Sequence, residues 1–249
     1  MSALRAKCPD CRTLTAVAIG PDYQCHSCGR EFAAGLVRVP RAWGEGGAAM
    51  AAAAWLNLPW PEAAVVDEGS LEEQMVVTAR ELPERPLVLG GCCCAHVGAV
   101  RELHRRHGRV GVLWIDAHGD LNTPESSPSG NAWGMPLRML IESGAVAPSD
   151  VALVGARSLD PPEVEYIRHV GIRRDPDGLP EQVYVALDCD VLSPGSLDVF
   201  MPEPGGPNLA SLEAVLAEIR QPIGAGLTGL VASDRNAVLV PGLIRALGL

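Results

Sequence analysis

A series of short, almost wholly apolar runs at residues 86–90, 110–116, 151–155, 183–188 and 226–231 does most to set the fold class of this chain. A strand whose successive side chains are all apolar has no face to give to water, so it must be covered on both sides. Helical segments separate the runs, among them 70–81 and 95–107. An apolar run at 35–39, an Ala-rich helical stretch near 48–56 and a strand at 63–67 come earlier. This alternation predicts an α/β fold with a mainly parallel sheet covered by helices on both faces. Such sheets bind ligands where their strands end at the carboxyl edge, so the residues at the strand ends matter most.

Two of those ends are acidic. Val112-Leu-Trp-Ile runs straight into Asp116-Ala-His118-Gly-Asp120, and Val183-Tyr-Val-Ala-Leu runs into Asp188-Cys-Asp190. Extended backbone sends residues i, i+2 and i+4 to one face, so Asp116, His118 and Asp120 share a side, as do Asp188 and Asp190. Burying that much like charge costs several kcal/mol per ion, and divalent cations are the usual remedy. Two cations fit this much charge better than one. The competing reading makes these aspartates surface turn residues or helix caps, but buried strand ends seldom gather charge by accident.

The first residues carry a separate signal. Cys8-Pro-Asp-Cys11 and Cys25-His-Ser-Cys28-Gly29 form two CxxC knuckles, which predicts a zinc ribbon over residues 1–34 and a second domain over 35–249. Four thiolates can surround one structural Zn²⁺ tetrahedrally, and so small a unit has too little core to fold without such a staple. Unligated cysteines and a redox CxxC are the alternatives, the latter disfavoured because both pairs precede any βαβ pattern.

At 249 residues with 47% apolar content, the chain can bury one core and a small satellite. No stretch reaches the roughly 18 apolar residues of a membrane span. Cys8 and Cys11 interrupt any secretory leader, so the expected location is the cytoplasm. A net charge of −10 argues against nucleic acid as a partner and favours a cationic small molecule.

The run Asp116-Ala-His118-Gly-Asp120-Leu-Asn122-Thr123-Pro124, followed by Ser129-Gly130-Asn131, resembles the metal and substrate segment of the arginase (ureohydrolase) family. Asp188-Cys-Asp190 is similar to that family's second metal strand, and the likeness runs from residue 35 to the end. The resemblance implies a three-layer α/β/α fold, a homo-oligomer, and two Mn²⁺ ions sharing a bridging hydroxide that attacks a guanidinium carbon. By carry-over, one metal takes Asp116, Asp120, Asp188 and the residue at position 93, and the other takes His118, Asp116, Asp188 and Asp190. His118 and Asp120 are then catalytic, with Asp120 orienting the hydroxide. Asn122, Ser129, Asn131, Asp160 and Glu163 match positions that receive the amino-acid end of the substrate, and Asp234 matches the guanidinium-binding acid. Arginine is the first candidate substrate. A degenerate member acting as a binding or regulatory protein, or a formimino or acyl-amine hydrolase, are the alternatives.

The pattern departs from the family at three places, one of them Asp234, one methylene shorter than the family's glutamate. Gly90-Gly91 is followed by Cys92-Cys93-Cys94, so a thiol replaces the first ligand imidazole. A thiolate favours zinc, iron, cobalt or nickel over manganese, unless the three cysteines merely pack at a turn. His96 reads either as a substitute ligand or proton carrier, or as a surface or capping residue. Trp133 stands where the family has a proton-shuttling histidine, and indole has no basic nitrogen.

Overall fold

Alternation within each strand decides how this sheet is built. In a computed structural model, which describes residues 5–6, 8, 10–11, 13, 15–19, 22–32, 35–219 and 222–249, the chain forms two sheets. The first consists of β1 (Arg5–Ala6), β2 (Ala16–Ile19), β3 (Asp22–Cys25) and β4 (Glu31–Phe32), paired antiparallel in that order. Its small core is Cys8, Ala16, Tyr23 and Cys25, with Phe32 stacked on Tyr23 at 5.6 Å between ring centroids. Residues 33 and 34, where the domain boundary was expected, lie outside the described residues.

The remaining elements follow in the order β5 (Gly35–Val39), α1 (Ala48–Ala51), β6 (Glu62–Val65), α2 (Leu71–Glu81), β7 (Pro86–Gly90), α3 (Ala95–His107), β8 (Gly111–Ile115) and α4 (Pro136–Glu142). Then come β9 (Val151–Val154), α5 (Pro161–Val170), β10 (Val183–Asp188), α6 (Leu209–Ala217), β11 (Gly224–Thr228) and α7 (Asp234–Ala246). Seven strands form one sheet in the order β6-β5-β7-β11-β10-β8-β9, and every pairing is parallel.

Leu87, Leu89, Leu113, Ile115, Val185 and Leu187 face a layer that includes Leu212 and Leu216 of α6 and Val240, Leu243 and Ile244 of α7. Their neighbours Val88, Val112, Trp114, Tyr184 and Ala186 face the opposite layer, with Val97, Val100 and Leu103 of α3 and Leu137 and Leu140 of α4. Each such side chain, taken fully from water, contributes about 1.5–3 kcal/mol, which is why all-apolar strands are stable only in this three-layer arrangement. Asp116 and Asp188 continue the α3-side register of Trp114 and Ala186, so both carboxylates emerge at the same carboxyl edge.

The helices start where side chains can cap them. Ser70 Oγ accepts from the Glu73 amide at 3.2 Å, so the helix expected from residue 70 begins one position later. Asp160 and Glu163 form a reciprocal capping box that fixes the start of α5. The Ala-rich stretch is a correction: it makes only a single α-helical turn and continues as a 3-10 turn over Ala52–Trp55. It has no side-chain cap, and a run this short cannot meet the cost of nucleation alone. β11 occupies 224–228 rather than 226–231, because its register with β10 starts at Gly224 and Gly229, at φ 73°, turns the chain away. Among the described residues no helix is long and apolar enough to cross a membrane.

Candidate metal centre

Gly90 and Gly91 end β7 in a turn with no room for side chains: a Cβ on Gly90 would collide with Ala95, and one on Gly91 with the Pro40 carbonyl. The tight turn aims three consecutive thiols in different directions. Cys92 Sγ lies 3.5 Å from the Trp43 amide, and Cys94 Sγ reaches the Ala132 carbonyl at 3.4 Å, both within an apolar cluster. Cys93 Sγ points instead to the strand ends, 2.9 Å from Asp188 Oδ2, 3.1 Å from Thr228 Oγ1 and 3.8 Å from Asp116 Oδ2. Cys92 and Cys94 thus pack in the apolar cluster, whereas Cys93 faces the carboxylates.

Asp116, Asp120, Asp188 and Asp190 are all buried, with 7% or less of their surface exposed. His118 Nδ1 lies 3.0 Å from Asp190 Oδ2 and 3.5 Å from Asp116 Oδ1. Oxygen, nitrogen and sulfur atoms of Cys93, Asp116 and Asp120, and separately of Asp116, His118 and Asp190, fall within 4.8 Å of one another. Asp116 is common to both groups.

Backbone and side-chain donors hold the carboxylates in place. Trp114 Nε1 donates to Asp116 Oδ2 at 3.1 Å, and the His118 amide to Asp116 Oδ1 at 2.7 Å. The Asp190 amide donates to Asp188 Oδ1 at 2.9 Å, Thr228 Oγ1 donates to Asp188 Oδ2 at 3.2 Å, and the Ala117 amide donates to Asp190 Oδ1 at 3.2 Å. Asp120 differs: at φ 53° it is the one non-glycine residue with positive φ among those described, and its buried Oδ2 has no hydrogen-bond partner. A buried carboxylate oxygen without a donor is costly, and a cation satisfies it.

The electrostatics point the same way. Burial, with the charge of Asp190, pushes Asp188 up to about 7, and burial with the charge of Asp116 pushes Asp190 up to about 6. Burial is likewise the main cause that raises Asp116 and Asp120. Burial would lower His118, but its contacts with Asp116 and Asp190 outweigh that and push it up to about 12. Every group in the cluster therefore favours added positive charge.

A cavity of about 230 Å³ opens above the cluster, on the small side for a ligand pocket. Of the expected substrate residues, Asn122, Ser129, Asp160 and Glu163 line it. Asn122 Nδ2 donates to Asp160 Oδ2 at 2.8 Å, and Glu163 accepts from the Leu121 and Asp160 amides, each at 2.9 Å. Asn131 does not line the cavity, and its Oδ1 accepts from the Glu45 amide at 2.9 Å. Asp234 is a correction: it sits exposed in the first turn of α7, outside the cavity. Ser233 caps that helix and β11 has already ended at Thr228, so the chain has left the strand ends before residue 234.

His96 is not a surface residue. It is fully buried behind the cluster, 3.0 Å from Tyr184 OH and 3.4 Å from Thr228 Oγ1, and burial lowers it to about 3. Trp133 lies edge-on to Phe200, with centroids 5.8 Å apart, and both line the cavity. Sequence reasoning gave no role to Trp114, Thr228 or Glu203, whose Oε1 is 3.6 Å from His118 Nε2. The period-two register could have revealed Trp114, two residues before Asp116, and the end of β11 could have revealed Thr228. Glu203 sits in an irregular Pro-rich loop with no such signal.

Residues 61–176 match the model of the arginase family. An arginase of Staphylococcus aureus (strain COL) is 38% identical over 119 residues, which are 44% of this chain and 39% of the relative. An N(omega)-hydroxy-L-arginine amidinohydrolase of Streptomyces lavendulae is 33% identical over 168 residues, 61% of this chain and 60% of that protein. The chain thus spans well under two thirds of the staphylococcal arginase it matches. The crystal structure of arginase from Bacillus subtilis superposes with a TM-score of 0.73 at 21% identity, covering 86% of this chain and 97% of that one. Residues 61–176 are thus similar to the arginase family, and the fold is of the arginase type. The matched residues include Cys93 and the Asp116 to Asp120 segment, whereas Asp188 and Asp190 lie beyond them and join the site through the fold.

A second cluster lies in the N-terminal sheet. The sulfurs of Cys8, Cys11, Cys25 and Cys28 all lie within 4.8 Å of one another, with Cys8 and Cys28 3.6 Å apart and Cys11 and Cys25 3.8 Å apart. All four expected ribbon ligands converge.

Proposed function

We propose that this chain is a hydrolase of C–N bonds in an amidino or guanidino compound, dependent on two divalent cations, with arginine the first substrate to try. The observation that carries the proposal is the convergence of buried Asp116, Asp120 and Asp190 with His118 and Cys93, Asp188 lying against the Cys93 sulfur and Asp120 having an unpartnered buried oxygen. Cys93, Asp116, Asp120 and Asp188 would hold one cation, and Asp116, Asp188, His118 and Asp190 the other. When bound, such a pair supplies an acidified water and neutralises charge that develops during attack on the amidino carbon.

The chain's own groups do the rest. Asp120, a ligand through its partnerless Oδ2, would orient the attacking water through its other carboxylate oxygen. His118 faces the cluster through Nδ1, while Glu203 beside Nε2 fixes the ring's orientation. The anionic cavity attracts a cationic head group, and Asn122, Ser129, Asp160 and Glu163 receive the polar end. Glu163 also braces the backbone just after Asp120 through the Leu121 amide. In the N-terminal unit, residues 1–34 in this reading, the four cysteines hold one structural zinc, and the core unit is 35–249.

The test loads the full chain in turn with Mn²⁺, Zn²⁺, Fe²⁺, Co²⁺ and Ni²⁺. Each form is incubated with arginine, agmatine, other guanidino compounds and a formimino compound, and urea and ammonia are measured. Urea release with at least one metal supports the reading. Ammonia without urea moves the substrate to the formimino class, and silence with every metal overturns hydrolysis in favour of a binding role.

A further inference from the structure

Resting on the two-cation reading above, we infer that Cys93 is a thiolate ligand of the first cation, so that this site takes a thiophilic divalent metal of the zinc type in preference to manganese. The two halves of the centre are then chemically unequal.

Geometry singles out this thiol. Of three consecutive buried cysteines, Cys93 alone faces the carboxylates, from a turn so tight that neither Gly90 nor Gly91 has room for a side chain. A second, independent feature shares its space: Asp120 Oδ2, buried and without a hydrogen-bond partner, belongs to the same cluster as Cys93 and Asp116. The Cys93 sulfur, hydrogen-bonded to Asp188 Oδ2 at 2.9 Å, stands beside an unsatisfied oxygen, and on losing its proton it forms with these carboxylates a donor set for a cation.

The donor chemistry then selects the metal. Manganese stands lowest among the divalent first-row metals in general affinity and prefers carboxylate, carbonyl and water, whereas thiolate favours zinc and its late neighbours. The first site offers one sulfur with carboxylate oxygens. The second offers Asp116, His118 and Asp190, a nitrogen and oxygen set that tolerates manganese. Thr228 Oγ1, 3.1 Å from the sulfur, donates to Asp188 and so keeps sulfur and carboxylate together.

The test compares full-length wild type with Cys93→Ser and Cys93→His, each equilibrated with limiting amounts of Zn²⁺ and Mn²⁺ together. Bound metal is counted by elemental analysis, and the thiolate-to-metal charge-transfer band is recorded on Co²⁺-loaded protein. Ribbon cysteines contribute equally to all three proteins, so differences report the core. Changes to supporting residues already weaken metal binding about 10–100-fold. Cys93→Ser should therefore lose one zinc per chain and weaken affinity by more than about 100-fold, and its charge-transfer band should drop. Cys93→His should keep the metal count but move its preference to manganese, which also shows that the fold survives substitution.

Unchanged zinc content, unchanged Zn-to-Mn preference and an unchanged cobalt band in Cys93→Ser would overturn the inference. The hydrolase reading fails separately: loss of core zinc in Cys93→Ser with no product from any wild-type metal form would remove hydrolysis and leave the ligand assignment standing. Wild type holding no metal beyond the ribbon would overturn both.

Discussion

Replacing Asp120 with Asn isolates metal binding from fold stability. Asn tolerates the positive φ of 53° at this position about as well as Asp, so the backbone need not move. Asp120 Oδ2 has no protein hydrogen bond to lose, so metal-free protein should change by less than about 1 kcal/mol. With metal present the effect is larger. A cation at 100 times its dissociation constant stabilises the fold by about 2.7 kcal/mol, and a 100-fold weaker site retains about 0.4 kcal/mol. The lost difference, about 2.3 kcal/mol, lowers Tm by roughly 5–9 °C in a chain of this size. The assay is a thermal melt of wild type and Asp120→Asn, with chelator and with saturating metal, the ribbon affecting both alike. Equal metal-induced shifts in the two proteins would refute the claim that the bare oxygen awaits a cation. A large loss of stability in chelator would refute the claim that it lacks a protein partner.

Other perturbations test different parts of the structure. Gly229→Ala places a Cβ at φ 73° against the Asp188 carboxylate, so it should cost about 1–3 kcal/mol and lower core metal content, which a melt and elemental analysis would show. Glu102 is held down to about 2, first by Arg105 and, against opposing burial, also by Arg106. This stabilisation is fully present above the ordinary glutamate value near 4.5 and is lost as pH falls towards 2. Glu102→Gln should cost about 2 kcal/mol at pH 7, discounted because Arg105 is exposed, and the gap to wild type in denaturant melts should close on acidification through that window. Cys28→Ser should release one zinc and expose the N-terminal unit to protease while the core resists, whereas unchanged zinc would remove the ribbon assignment.

The sheet was legible because burial on both faces leaves a distinct mark: 86–90 and 183–188 are strands with the expected bounds. Asp116 and Asp188 were legible for the same reason, whereas His118 and Asp190 lie past the strand ends, Asp190 in a 3-10 turn over Cys189–Val191, and reach the cluster through irregular backbone that a period of two does not describe. Legibility ended where irregular backbone takes over. Asp234 was placed by likeness to a motif, but Ser233 starts a helix there and carries it outward. Asn131 sits in a loop whose contacts, here with Glu45, no local pattern announces. His96 looked like a helix-start residue, yet α3 packs its first turn onto the sheet and buries it against Trp114 and Tyr184. The Ala-rich helix shortened because propensity without caps or a long apolar face does not sustain it.

The central claim is that Asp116 is shared between two cations held at the ends of β7, β8 and β10. Anomalous diffraction from crystals of the metal-loaded chain, collected above and below each metal edge, tests it directly. Two peaks are expected in the core, one against Cys93 and Asp120 and the other against His118 and Asp190, with Asp116 touching both. A map with density only among the four ribbon cysteines would contradict it.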